Sequence, residues 1–372
     1  MTHARTYLDH NASAPLKRAA REAVVAALDA FGNASSVHAE GRRARAIVDE
    51  AREAVAALVN ARPAEVVFTS GATESNVWAL AQPWRRIAFA RIEHDSIRAP
   101  AAQIATERGA ETVALPVDGN GQVDVAAAGS GPDLLVALQM ANNETGVVQD
   151  VTRAGLWATE NGARLHCDAA QAPGRVPIDF PTLGAATLSL SAHKMGGPKG
   201  VGALIVSGNT PMVSLLTGGG QELRRRSGTE NVAAIAGFGA AAKVALDDLQ
   251  RAAGLAALRD RIETEVRRMT PEAVVIGAGA PRLPNTSSIA MPGVSAETLV
   301  IKFDLAGIAL SAGSACSSGK VSESPVLSAM GLAPDIARGA VRISFGTDTT
   351  DDDIAAFLAA WRKIHGGASL AA

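Results

Sequence analysis

Apolar and polar positions follow two rhythms along this chain. In ARAIVDEAREAVAALV, residues 44–59, the apolar positions recur at helical spacing, which predicts an amphipathic helix. By contrast, EVVFTSG, RIAFARIEH, LLVALQMANN, RLHCDAAQ, ATLSLSAHK and GVGALIVS are short β-rich apolar runs that read as buried strands. From about residue 44 to 250 the two kinds alternate, which predicts an α/β domain with a mainly parallel sheet covered by helices. The stretch ENVAAIAGFGAAAKVALDDLQRAAGLAALRDRIETEVRRM is strongly helical in pattern and carries the chain out of that domain. TSSIAMPG, ETLVIKFDLAGIAL and GAVRISFG follow, separated by turns, and DDDIAAFLAAWRKIHG closes as a helix; together they predict a smaller α+β domain.

Composition narrows the function classes. At 372 residues the chain has room for two domains. Its 35 Lys and Arg nearly balance its 37 Asp and Glu, so there is no field to attract nucleic acid or an anionic membrane, and neither is expected as a partner. The start MTHARTYLDHNASAP lacks the basic and apolar regions of a secretory signal. The longest uncharged window, 200–221, is broken by turn residues and by Gly218-Gly219-Gly220, so no spanning helix is expected. Two cysteines, Cys167 and Cys316, make neither a disulfide framework nor a metal-ligand pattern; no metal and a reducing cytoplasm are the expectation.

In open α/β sheets ligands sit beyond the carboxyl ends of the strands, and several strands here end in reactive groups. FTSGATESN passes from a strand through Gly71 toward a helix start, where amides and small hydroxyls suit a phosphate group; an ordinary capping turn fits the same residues. It is neither G-x-G-x-x-G nor a Walker loop, which disfavours a dinucleotide or ATP. HCDAAQ ends in Asp168, able to pair with a cationic ring nitrogen or to cap a helix, while Cys167 faces the opposite side and reads as core. LSLSAHKMGGPKG delivers Ser191, His193 and Lys194 to a glycine-rich turn, where a desolvated lysine becomes a nucleophilic amine and a lone one simply reaches solvent. His94 and Arg342 follow or lie in β-rich runs, as a proton-transfer or stacking group and a carboxylate fork, or as structural residues. Cys316 sits in SAGSACSSGK, a Ser-Gly-Ala segment with no apolar run beside it, which reads as a loop rather than core.

Taken together, the motifs YLDHNASAP, FGNASSVHAEGR, FTSGATESN, EHDSI, NNETGVVQD, HCDAAQ, SAHKMGGPKG, GGGQE with RRSGTEN, SAGSACSSGK and VRISFG occur in one order over nearly the whole chain. That order resembles the cysteine desulfurases of iron-sulfur cluster assembly, a branch of the class V family of pyridoxal phosphate (PLP) enzymes. The resemblance implies a PLP-dependent transferase fold of the aspartate aminotransferase type. Residues 16–250 would form the large PLP-binding domain, and residues 1–15 with 251–372 the small one that carries the catalytic cysteine. It implies that Lys194 holds pyridoxal 5'-phosphate and moves the substrate α-proton, that Asp168 pairs with the ring nitrogen, and that Gln171 bonds the ring hydroxyl. His94 would stack on the ring and assist proton transfer. Ala72, Thr73, Ser191 and His193 would bind the phosphate, and Thr229 would reach the site of a second copy, making a homodimer the expected working unit.

Arg342 and Asn143, the latter also near the ring, would hold the carboxylate of L-cysteine. Cys316 would take the sulfur as a persulfide, leave L-alanine, and pass the sulfur to an acceptor protein such as an iron-sulfur scaffold. The same pattern admits a selenocysteine lyase or another class V PLP aminotransferase or lyase, although a nucleophilic cysteine has no use in an aminotransferase. Two stretches depart from the family pattern: Ala34 stands where relatives commonly carry Pro, and KVSESPVL follows the cysteine segment where many carry a Leu-Glu-Pro-Ser-like run.

Overall fold

The computed structural model describes residues 5–208, 210–313 and 324–366. The chain enters as strand β1 (Thr6–Tyr7), followed by helices α1 (Arg18–Leu28) and α2 (Ala39–Leu58). Alternation then begins with β2 (Val66–Thr69), α3 (Ala72–Leu80), β3 (Arg86–Ala90), α4 (Asp95–Arg108) and β4 (Glu111–Leu115). It continues through β5 (Leu134–Gln139), α5 (Val151–Glu160), β6 (Arg164–Asp168), α6 (Phe180–Leu183), β7 (Thr187–Ser191) and β8 (Gly202–Val206). Two long helices, α7 (Val232–Asp248) and α8 (Ala252–Met269), lead to β9 (Val274–Val275) and β10 (Thr286–Ala290). The remaining elements are α9 (Ala296–Leu305), β11 (Ile308–Ala309), β12 (Ser311–Ala312), α10 (Pro325–Ala329), α11 (Pro334–Arg338), β13 (Ala340–Ser344) and α12 (Asp351–Gly366).

Seven strands form the main sheet in the order β2-β8-β7-β6-β5-β3-β4. β4, β3, β5, β6 and β7 are mutually parallel, whereas β8 is antiparallel to both β7 and β2. Because β2 is reversed twice, it points the same way as β7. Its carboxyl end therefore lies on the same edge as theirs, and only β8 runs against the rest.

The apolar runs are explained by burial on both faces. Within β2, Val66 and Phe68 join the core packed under α2 and α7, while Val67 joins the opposite core with Trp78 and Ile97. β5 splits in the same way, Leu134, Val136 and Leu138 against Leu135 and Ala137, as the two-residue period requires. α2 and α7 approach closely because Gly239 has no side chain: a Cβ there would lie 2.6 Å from the Ala51 Cα.

A second, antiparallel sheet has the order β12-β13-β10-β9, and β1 pairs with β11 beside it. Its core joins Ile289, Val341 and Ile343 to Phe303, Phe357 and Trp361 from α9 and α12. Phe303 and Phe357 stack at 5.4 Å, an arrangement worth about 1 kcal/mol beyond area burial. ETLVIKFDLAGIAL thus contributes α9 and β11, and the long helical run is divided by a tight turn at Leu249–Arg251. Among the described residues no helix is long and apolar enough to cross a membrane.

Candidate active site

A cavity of about 580 Å³ opens at the carboxyl edge of the main sheet. β2 reaches it through Ser70 and Gly71, β3 through His94, β5 through Gln139, β6 through Asp168 and β7 through Ser191. Lys199 and Gly200, on the approach to the reversed β8, line it as well. β13 of the second sheet contributes Arg342, and the N-terminal segment contributes Asn11 to Ser13.

Ala72, Thr73, His94, Asn143, Asp168, Gln171, Ser191, His193, Lys194 and Arg342, all singled out from the sequence, line this one space. Thr229 is exposed and lies outside its lining. Cys316 lies outside the described residues.

The start of α3 is built to leave amides open. Gly71 precedes it with φ 158° and ψ 176°, and no side chain caps it. The Thr69 hydroxyl is engaged with Ser75, and Glu74 turns back to the Ser70 amide while gripping Arg226. β8 must pass close beneath, and it does so at Gly202, where a Cβ would come 2.6 Å from the Gly71 Cα. His193, Lys194 and Lys199 line the same cavity. His193, whose Nδ1 faces the Ser13 hydroxyl at 3.3 Å, is pushed down to about 4 by burial and then by Lys194 and Lys199.

Asp168, at the end of β6, is 7% exposed. Its Oδ1 accepts from the Ala170 amide at 2.9 Å and its Oδ2 from Asn76 at 2.7 Å. Behind Asn76 lies His166, on the same face of β6 as Asp168. Burial lowers the His166 pKa to about 4 against the pull of Asp168, so the ring is neutral. Cys167, on the opposite face, is fully buried in the core, and burial raises its thiol pKa well above the ordinary value.

Lys194 follows β7 in a single tight turn, and its Nζ donates to the carbonyls of Asn11 at 2.6 Å and Ala12 at 3.1 Å. Asn11 is a junction. Its carbonyl also accepts from Gln171, its Nδ2 donates to the Asn143 carbonyl and the Thr286 hydroxyl, and its amide donates to Ser344. Gln171 in turn accepts from Arg175, a buried guanidinium whose pKa is lowered to about 9 by burial and then by Arg342.

Arg342 donates from Nη2 to Asp9 at 2.7 Å and from Nη1 to the Asn143 carbonyl at 3.0 Å. Its buried Nε meets no acceptor among the described residues. Next to Asn143, Glu144 is buried and pushed up to about 7 by that burial, opposed by a 2.6 Å hydrogen bond from the Ser324 hydroxyl and by Arg342. Ser324 also caps α10, directly after the segment that holds Cys316.

Such a donor set suits a phosphorylated, cationic ring. Open amides at α3 meet a phosphate, and the Asp168 carboxylate meets a protonated ring nitrogen. The Lys194 amine meets an aldehyde carbon, and the Arg342 guanidinium meets a carboxylate. The sequence motifs had pointed to most of these. Asn11, Asn76 and His166 were not foreseen, although His166 carried a signal, two residues before a strand-end acid and therefore on its face.

Comparison with known proteins agrees with this chemistry. Residues 6–357 match the family model described as Aminotransferase class-V. An "IscS-like cysteine desulfurase" of Mycobacterium tuberculosis is 39% identical over 369 residues, covering 95% of this chain and 94% of that protein. The structure of a NifS-like protein from Rickettsia africae superposes with a TM-score of 0.88 at 32% identity, covering 97% of this chain and 99% of that one. A structure described as SspA in complex with cysteine aligns with a TM-score of 0.79 at 29% identity, over 93% of this chain and all of the other.

Proposed function

The chain belongs to the aminotransferase class-V family, and from that premise we propose that it is a PLP-dependent cysteine desulfurase serving the biosynthesis of iron-sulfur clusters or other sulfur-containing cofactors. Its reaction is L-cysteine plus the Cys316 thiol giving L-alanine plus a Cys316 persulfide. The substrate C–S bond breaks, an S–S bond forms on Cys316, and alanine keeps the two electrons and gains the hydrogen. What supports the residue roles above all is the convergence of Lys194, Asp168, Arg342 and the open start of α3 on one cavity.

When bound, the cofactor supplies an electron-withdrawing ring that stabilises negative charge at the substrate α-carbon. Lys194 holds the cofactor through its amine and moves the α-proton; the Asn11 and Ala12 carbonyls that now accept from Nζ steer that amine. Asp168 keeps the ring nitrogen protonated, and Gln171 bonds the ring hydroxyl. Ala72, Thr73, Ser191 and His193 receive the phosphate, with Thr229 contributed by a second copy in a homodimer. Arg342, beside Asn143, orients the substrate carboxylate so that its α-hydrogen faces Lys194. Cys316 owes its role to the motif SAGSACSSGK. We assign residues 16–250 to the cofactor-binding domain and residues 1–15 with 251–372 to the smaller one. A sulfur-acceptor protein in the cytoplasm completes the reading.

Mass spectrometry after brief exposure to L-cysteine tests it. One extra sulfur on Cys316, with alanine released, is the expected result; alanine formed at the full rate by Cys316→Ala overturns the nucleophile. Amino-group transfer to a keto acid without sulfur release overturns the reaction itself. Lys194→Ala is expected to bind the cofactor only reversibly and to lose alanine formation.

A further inference from the structure

Behind the cavity wall a row of hydrogen bonds has a fixed direction. The Asp168 carboxylate offers only acceptors, so the Asn76 amide must turn its Nδ2 toward Oδ2, 2.7 Å away. The Asn76 Oδ1 then faces His166, whose Nε2 must donate across 2.9 Å, and the His166 Nδ1 accepts from the Thr187 hydroxyl at 2.8 Å. A second bond from Asn76 Nδ2 reaches the Ser96 Oγ at 2.8 Å. That hydroxyl lies 2.8 Å from the His94 Nδ1 and can pass its own hydrogen there. The Ser96 backbone amide reaches the same Nδ1 at 3.1 Å, where the imidazole caps α4. An amide N–H can only donate, so Nδ1 is bare and the ring hydrogen sits on Nε2.

We propose that Asn76 and Ser96 are positioning residues that hold His94 as its neutral Nε2–H tautomer, so that His94 serves the reaction as a hydrogen-bond donor while proton transfer at the α-carbon stays with Lys194. This rests on the reading that the cofactor occupies this cavity. To act as a base, His94 would need a bare Nε2 and hence a hydrogen on Nδ1, facing the Ser96 amide. To act as an acid it would need hydrogens on both nitrogens, which sets up the same opposition. Either change breaks the cap of α4.

Nitrogen NMR of ¹⁵N-histidine protein reads the tautomer directly, in both the cofactor-free chain and the holoenzyme. The chain has seven histidines, and His94 is assigned by the signal lost in His94→Gln. A bare Nδ1 and protonated Nε2 are expected in both states; Ser96→Ala keeps the backbone amide and so the same tautomer, losing only the share of the hold that the hydroxyl supplies. A dominant Nδ1–H form, or a doubly protonated ring in the holoenzyme, overturns the proposal. Activity gives a second arm. Glutamine keeps an N–H donor but no titratable nitrogen, so His94→Gln is expected to stay within about tenfold of the native rate, while His94→Ala falls about a hundredfold. Equal losses in the two variants overturn the donor role. If the chain fails to bind PLP or consume cysteine, the cavity reading fails, while the cofactor-free spectrum still decides the tautomer.

Discussion

Two helices begin at the rim of the same cavity, α3 at Ala72 and α4 at Asp95, and they treat their first amides in opposite ways. α3 has glycine before it and no capping side chain, so its amides remain available to an anion. α4 is capped by an imidazole, and the amide it spends there fixes which edge of the ring carries a hydrogen. Nearby α10 adds a variant of the second arrangement, because the serine that caps it also donates to a buried carboxyl group. An open helix start is a binding surface; a closed one orients whatever closes it.

The largest effect that sharpens this contrast is expected at α10. Folding raises the Glu144 pKa from its ordinary 4.5 to about 7, so the folded chain holds a proton that the unfolded chain releases. Stability therefore falls as pH rises from about 4.5 to 7 and levels off above. The native chain is expected to lose about 3 kcal/mol over that window that Glu144→Gln keeps, measured by urea unfolding at pH 4.5 and pH 8. Parallel curves for the two proteins would remove Glu144 from the account of the α10 tether.

At α3, Gly71→Ala is expected to destabilise by about 2 kcal/mol, since its φ of 158° is one that L side chains rarely adopt. A Cβ there would meet no atom within 4 Å, so the effect acts through the backbone and should also weaken PLP binding, read by absorbance titration. Unchanged cofactor affinity would break the claim that open amides at α3 do the binding. At α4, Ser96→Ala should lower stability by about 1.5 kcal/mol in denaturant melts, through loss of its bonds to Asn76 and His94. Asp150, which caps α5 away from the cavity, supplies the control. Asp150→Ala is expected to remove about 1 kcal/mol of stability and leave PLP affinity untouched.

Strands and their reactive ends were legible because burial on both faces writes an unbroken apolar run. β4 was missed for the opposite reason: it is the edge strand, and of its five residues only Leu115 is buried. The reversal of β8 was also invisible, since an apolar run carries no direction. α7 and α8 read as one helix because the helical pattern continues across the turn at Leu249–Arg251. In the site, Lys194, Asp168 and the α3 turn announce themselves by placing polar groups where apolar strands stop, and Arg342 by a charge inside an apolar run. Asn11 and Asn76 do not, because an amide side chain has meaning only through partners that local pattern cannot supply: Asn11 meets residues 160 and 333 positions away.

That last separation concerns time as well as space. Asn11 leaves the ribosome 333 residues before Ser344, to which its amide bonds, while its carbonyl bonds to groups at 171 and 194. At about 5–20 residues per second, the wait for Ser344 is tens of seconds. Through synthesis of the main sheet, the segment that steers Lys194 has no second sheet to anchor it. The anchor of that segment, and the part of the pocket wall that Arg342 supplies, are therefore completed only when synthesis has passed β13.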